Sequence, residues 1–211
     1  MDEDLERYCI QLKNKIFRDE IIYEANDDII LFYDGFGLDT RGLALIYLSA
    51  LTKLGKKIIY VTTSNAKSRQ DRISRLLSEN DSEVYYIEME RISYVNHIAK
   101  LAEIIKKTRP AYLFLYTMPY DVAAIVVFSA INIARKFQIN LTDHAYWLGR
   151  DCFDYCIEFR DYGATISHRF RKIDSEKLIK IPFYPYVDYE AEFLGFPFES
   201  QNKVIFSGGA L

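Results

Sequence analysis

Two stretches of this chain hold side chains whose types and spacing could do chemistry. Both follow runs that read as strands. The first is Asp34-Gly35-Phe36-Gly37-Leu38-Asp39-Thr40-Arg41-Gly42. Gly35 and Gly37 let the backbone pass close to a ligand, and Gly42 lets the next helix start near the sheet. Free N–H groups and a helix dipole then favour an anion. Arg41 can meet a phosphate or a carboxylate there. The competing reading is a tight turn with a solvated arginine. The second stretch is Thr142-Asp143-His144-Ala145-Tyr146-Trp147-Leu148-Gly149-Arg150. Asp143 beside His144 pairs a base with an acid, because an imidazole titrates near neutral pH and can take a proton from a hydroxyl. Trp147, the single tryptophan, can stack against a ring, and Arg150 is a further candidate to bind substrate. Read one at a time, these residues have plainer roles: Asp143 caps a turn, His144 is a buried imidazole, and Trp147 fills a core.

Other charged groups carry less. Glu158 and Arg160 are expected to pair with each other. His168, Arg169, Arg171 and Lys172 read as a solvated basic face, and His97 sits in a helix. Cys152 and Cys156 lie four apart with His144 upstream, but a metal site wants more ligands at closer spacing. No metal site is therefore expected.

The elements that must position these residues alternate along the chain. Residues 3–24 read as one amphipathic helix with Leu5, Tyr8, Leu12, Ile16 and Tyr23 on its apolar side. From Asp28, apolar runs alternate with helical patterns. Ile29–Tyr33, Lys57–Thr62, Val84–Ile87, Ala111–Tyr116, Ile139–Thr142, Asp154–Glu158 and Leu178–Ile181 read as strands. Helical patterns start at Leu43, Lys67, Tyr94 and Asp121, the last running to about Lys136, and a further one ends near Phe170. Gly55 is placed to close the second helix. Short apolar strands between helices predict an α/β fold: a Rossmann-like open parallel sheet of about six or seven strands with helices on both faces. Residues 1–27 form the leading helix and 28–182 the α/β domain. Residues 183–202 carry seven aromatics and read as an ordered interdomain connector. Lys203–Leu211 (KVIFSGGAL) reads as a strand entering a glycine turn, the first strand of a further, missing domain.

Composition excludes several classes. Half of the 211 residues are hydrophobic, 27% are charged and the net charge is −3, an ordinary globular profile with no basic excess for nucleic acid. The opening MDEDLERY has no apolar leader, and no apolar run approaches the length of a membrane span. Three cysteines and no leader imply reduced thiols and a cytoplasmic setting. The spacing G-x-G-x-x-x-x-G exceeds the dinucleotide fingerprint, and Thr62-Thr63-Ser64 supplies no acid at the end of the second strand, so a ribose-gripping dinucleotide site is not expected. G-x-S-x-G is also missing, which counts against a hydrolase of the α/β type.

Three motifs in this order resemble the plan of GT-B glycosyltransferases: YDGFGLDTRGLALIYLSALTKLGKKIIYVT, LTDHAYWLG and KVIFSGGAL. The resemblance spans the chain as the N-terminal half plus the first strand of the second half. It implies an acceptor-side domain of an enzyme that moves a sugar from a nucleotide-sugar to an acceptor hydroxyl, without a bound metal or other cofactor. The acceptor would be a glycan, a lipid-linked molecule or a protein, in cell-surface glycan synthesis at the cytoplasmic side or the inner membrane surface. It further implies that Gly35, Gly37 and Arg41 border the donor phosphates or the acceptor. Asp143 and His144 would face the transferred sugar, and Gly208 and Gly209 would open the donor loop. The alternative from the residues themselves is a flavodoxin-like module that binds a nucleotide or phosphate-bearing ligand without chemistry.

Overall fold

The computed structural model describes residues 3–37, 43–63, 71–87 and 93–182. Within them, the apolar runs become strands β1 (Asn26–Asp34), β2 (Lys57–Thr63), β3 (Glu83–Ile87), β4 (Pro110–Tyr116), β5 (Arg135–Ile139), β6 (Tyr155–Glu158) and β7 (Leu178–Lys180). They form one sheet in the order β3-β2-β1-β4-β5-β6-β7, with every pairing parallel. The helices are α1 (Glu3–Ile16), α2 (Leu43–Leu51), α3 (Asp71–Glu79), α4 (Tyr94–Thr108), α5 (Val122–Ser129) and α6 (Asp161–Arg169). This is the Rossmann-like α/β architecture that the alternation predicts.

Strand period sorts side chains onto two faces. Ile30, Phe32 and Tyr60 pack with Leu48 of α2 and with Ile73 and Leu77 of α3. Leu31, Tyr33, Leu113 and Leu115 pack with α4 and with α5, whose residues Ala123 to Phe128 are all buried. Right-handed crossovers account for this division, because the chain winds one way from β1 and the other way from β4. The order reverses between β1 and β4, where Asp34 lies beside Tyr116. Ligands in open parallel sheets bind beyond the carboxyl ends of the strands near such a reversal.

Three elements differ from the sequence expectation. The leading helix stops at Ile16 instead of running to residue 24. Residues 21–24 alternate buried and exposed, the Ile21 N–H donates to the Ala130 carbonyl at 2.7 Å, and the Tyr23 hydroxyl donates to the Pro110 carbonyl at 2.9 Å. That is the period of extended chain. The helix is also rotated: Leu5 and Tyr8 are exposed at 42% and 65%, while Glu6 and Cys9 are buried. The fifth strand is Arg135–Ile139, not 139–142, and α5 ends at Ser129. Lys136 explains the difference. It is a buried strand residue whose ammonium donates to the carbonyls of Ile131 (2.6 Å) and Phe128 (3.3 Å) at the end of α5. A cation that reads as the polar side of a helix thus caps that helix from the next strand.

Among the described residues no helix is long and apolar enough to cross a membrane.

His97 on α4 is buried, and among the described residues neither ring nitrogen has a hydrogen-bond partner. Burial lowers its pKa from 6.5, opposed by the charge of Asp121. The unfolded chain therefore gains a proton near pH 6.5 that the folded chain refuses. Stability should fall as pH drops through 6.5 toward 5, by up to about 1.4 kcal/mol per pH unit. Urea unfolding of wild type and His97→Met across that range measures it. Equal slopes for the two proteins would rule out His97 as the source.

Candidate functional site

The carboxyl edge of the sheet holds most of the candidate residues. At the end of β1, Asp34 is fully buried. Its Oδ1 accepts the N–H groups of Phe36 (3.0 Å) and Gly37 (2.8 Å), and its Oδ2 accepts the Tyr60 hydroxyl at 2.6 Å. Burial pushes the carboxyl above its usual range, against the pull of those donors. A Cβ on Gly35 would lie 3.0 Å from the Met118 nitrogen and 3.2 Å from Asp121 Oδ2. The Gly35 N–H donates to the Tyr116 carbonyl at 2.8 Å. The space that Gly35 leaves is therefore filled by the loop after β4, and its role is close packing at the strand reversal. Arg41, Gly208 and Gly209 lie outside the described residues, as do segments 183–202 and 203–211.

The loop after β5 holds the second group. Asp143 is 2% exposed. Arg160, just after β6, donates to both of its oxygens, from Nε at 2.5 Å and from Nη2 at 2.9 Å. His144 Nδ1 lies 3.3 Å from Asp143 Oδ1, and its side chain is 71% exposed. The Arg160 guanidinium chiefly, with His144, holds the Asp143 carboxyl below its usual range. An ionised carboxylate only accepts, so the proton of His144 belongs on Nδ1 and Nε2 is left as the basic nitrogen. The expected Glu158–Arg160 pair does not form. Glu158 is fully buried instead, and its Oε1 accepts from Asn140 Nδ2 (2.8 Å) and the Ser167 hydroxyl. Among the described residues its Oε2 has no hydrogen-bond partner, and it sits where a Cβ on Gly163 would be 2.4 Å away.

Arg171 holds this loop from below. It is 6% exposed, not part of a solvated face. Nη2 donates to the carbonyls of Thr142 (3.2 Å), Asp143 (3.2 Å) and Ala145 (2.7 Å), and Nη1 donates to Ser167 Oγ at 2.9 Å. Its guanidinium lies 4.9 Å from the centre of the Trp147 ring. Trp147 is 5% exposed and tilts against Phe153. With one face under Arg171, the indole is packed into the protein and does not present the free stacking face expected of it. Arg150 is also turned away: it forms a two-pronged pair with Glu3 of α1 at 3.0 and 3.1 Å. Glu6, buried beside it, accepts the N–H groups of Gly149 and Arg150. Helix α1 is thus tied to the far end of the loop that carries His144.

Beside the Asp143–His144 pair is a cleft of 510 Å³ lined by Leu43, Leu141, Phe159, Pro182, Asp143, His144 and Arg160. On the α6 side of the same pair is a smaller groove of 260 Å³ with Tyr146, Trp147, Tyr162 and Phe170. Among the described residues no three His, Cys, Asp or Glu side chains are grouped to hold a metal.

The structure brings Asp143 and His144 together. It leaves Gly35 and Gly37 on the loop after β1 and moves Arg150 into a helix dock. Arg160, Arg171, Asp34 and Gly163 are the residues that sequence reasoning missed. One signal was available: Gly163, Ser167 and Arg171 fall four apart on one stripe. Two small residues there let the helix approach the sheet and bring an arginine into a buried position. Comparison with protein-family models, curated proteins and solved structures returns no match.

Proposed function

We propose that this domain forms the acceptor-side wall of a sugar transferase. An acceptor hydroxyl would bind in the cleft with its proton directed to His144 Nε2. His144 takes that proton as the hydroxyl oxygen attacks the anomeric carbon of a nucleotide-sugar, and the bond to the nucleoside diphosphate breaks. Asp143 orients the imidazole and stabilises the imidazolium that forms. Arg160 holds Asp143 ionised and in place.

The observation that carries this reading is the arrangement Arg160–Asp143–His144 at the mouth of a cleft on the carboxyl edge. It has the parts of an oriented general base: an exposed imidazole, a buried carboxylate behind it, and a cation that keeps the carboxylate charged. The resemblance of the three sequence motifs to GT-B enzymes supports it further.

The test is His144→Gln, assayed as nucleoside diphosphate released from nucleotide-sugars in the presence of acceptor, with the donor-binding domain supplied. His144 is exposed, so the fold should be unchanged. The expected result is a fall in kcat of about 10²–10⁴-fold with little change in KM. Unchanged kcat would remove His144 from the chemistry. Robust turnover by residues 1–211 alone would show that this wall does not depend on a second domain.

A further inference from the structure

We infer that the 510 Å³ cleft takes a small amphiphile, with an uncharged hydroxyl-bearing head at His144 and an apolar body along the cleft wall. This deepens the transferase reading and rests on it only for what happens to the hydroxyl.

The wall follows from strand period. Ile139 and Ile157 are buried on the α2 face of the sheet. Two residues on, Leu141 and Phe159 continue those rows past the strand ends and pack against the same cluster. Leu43 opens α2 opposite them, and Pro182 follows β7. Four of the seven lining residues are therefore apolar, and they belong to four different connections. The polar ones, Asp143, His144 and Arg160, form a single contiguous group.

This segregation decides between ligand classes. A free hexose carries hydroxyls on all sides, and each one buried against Leu141 or Phe159 without a partner is costly. A body of carbon and hydrogen matches that wall, and the volume is that of a pocket for a molecule of drug size. Charge selects the head. The Arg160 guanidinium is committed to Asp143 by two hydrogen bonds. An anionic head would have to compete with Asp143 for it, and a cationic head would have to displace it. A hydroxyl needs only the acceptor nitrogen of His144, which is exposed. A cleft of 510 Å³ has room for one small molecule, so the proposed occupant is a single dispersed molecule and not the surface of a bilayer.

The experiment compares n-octyl β-D-glucoside, kept below its micelle threshold, with methyl β-D-glucoside. The two share a head and differ in the apolar body. Binding to the intact chain is followed by ¹H–¹⁵N and methyl NMR. Octyl glucoside should bind at least about tenfold more tightly, since burying even two or three methylenes is worth that much. It should shift Leu141, Phe159 and His144 resonances. Leu141→Gln should weaken it about fivefold, while Phe170→Ala, in the other groove, should leave it unchanged. If Leu141→Gln does not fold, Leu141→Ala with the same glucoside pair replaces it. Equal affinity for the two glucosides would overturn the proposal, as would binding of neither at millimolar concentration. Shifts that appear only with micelles or phosphatidylcholine vesicles would also overturn it. Because the readout is binding, it separates from the transferase test. Octyl glucoside can bind while His144→Gln leaves transfer intact, which sinks only the transferase reading. Failure of both glucosides with loss of transfer in His144→Gln sinks only this inference.

Discussion

Arg171→Met is expected to destabilise the domain by about 3–5 kcal/mol, the range seen when one partner of a buried charged network is removed. The reason is the number of groups that depend on this one side chain. Its guanidinium supplies donors to the carbonyls of Thr142, Asp143 and Ala145 and to the Ser167 hydroxyl. It also covers the Trp147 ring; burial works against its charge, and the nearby Glu158 carboxylate partly offsets that. Methionine keeps much of the packing volume and removes every donor. The three carbonyls then lose a charged donor at buried and half-buried positions, and Glu158 loses a nearby positive charge. For a chain of this size the loss corresponds to a melting midpoint lower by roughly 10 °C. Arg171→Lys should recover less than half, since one ammonium cannot span three carbonyls and a hydroxyl or stack on an indole. Calorimetry and urea unfolding of both variants measure this. A loss under about 1 kcal/mol would mean that the loop holds its shape without Arg171.

Gly149→Ala is the second large effect, with an expected cost of about 3–5 kcal/mol from two sources that act together. Gly149 has φ +97°, a backbone conformation that side chains with a Cβ rarely adopt. Holding such a residue there costs about 1–3 kcal/mol. The added methyl would also lie 2.8 Å from Ile125 Cγ1 and 3.1 Å from Cys152 Sγ. Both neighbours are in the core, and overpacking of this kind costs about 1–3 kcal/mol more. Any shift that relieves the clash pulls the Gly149 N–H away from the buried Glu6 carboxylate, which then loses part of its compensation. Chemical denaturation gives the energy. The amide spectrum should show α1 loosened along with residues 141–150. A stable variant with an unchanged α1 would show that the turn can relax without disturbing the helix dock.

These two residues bear on the proposed function because both shape the segment that carries His144, the proposed base. Arg171 fixes its start at residues 142–145, and the Gly149–Glu6 contact fixes its end. Between them His144 is exposed but has a rigid carboxylate behind it. An imidazole on a loop without those supports would sample many directions, and in the proposed reaction its effective concentration at the acceptor hydroxyl would fall.

The chain's own pattern determined the architecture. Short apolar runs separated by helical stretches could bury both faces only as a parallel sheet, and that is the sheet observed. The pattern also placed Asp143 and His144 beyond a strand end, because chain neighbours stay neighbours after folding. Local turn chemistry was legible as well: Gly55 closes the helical segment after α2 with φ +67°, as expected.

Tertiary structure decided which charges are buried and with whom. Glu6 meets Gly149 across 143 residues of chain, Arg160 chooses Asp143 over Glu158, and Arg171 leaves an apparently solvated face for the interior. Residue type alone assigns a charged side chain to water. A buried charge is tolerated only when hydrogen bonds replace its hydration, and those partners come from segments that folding alone brings together. The same physics moved the fifth strand, since Lys136 is stable inside only where it can reach the open carbonyls at the end of α5. It also turned Trp147 from an expected ligand platform into a core ring under Arg171.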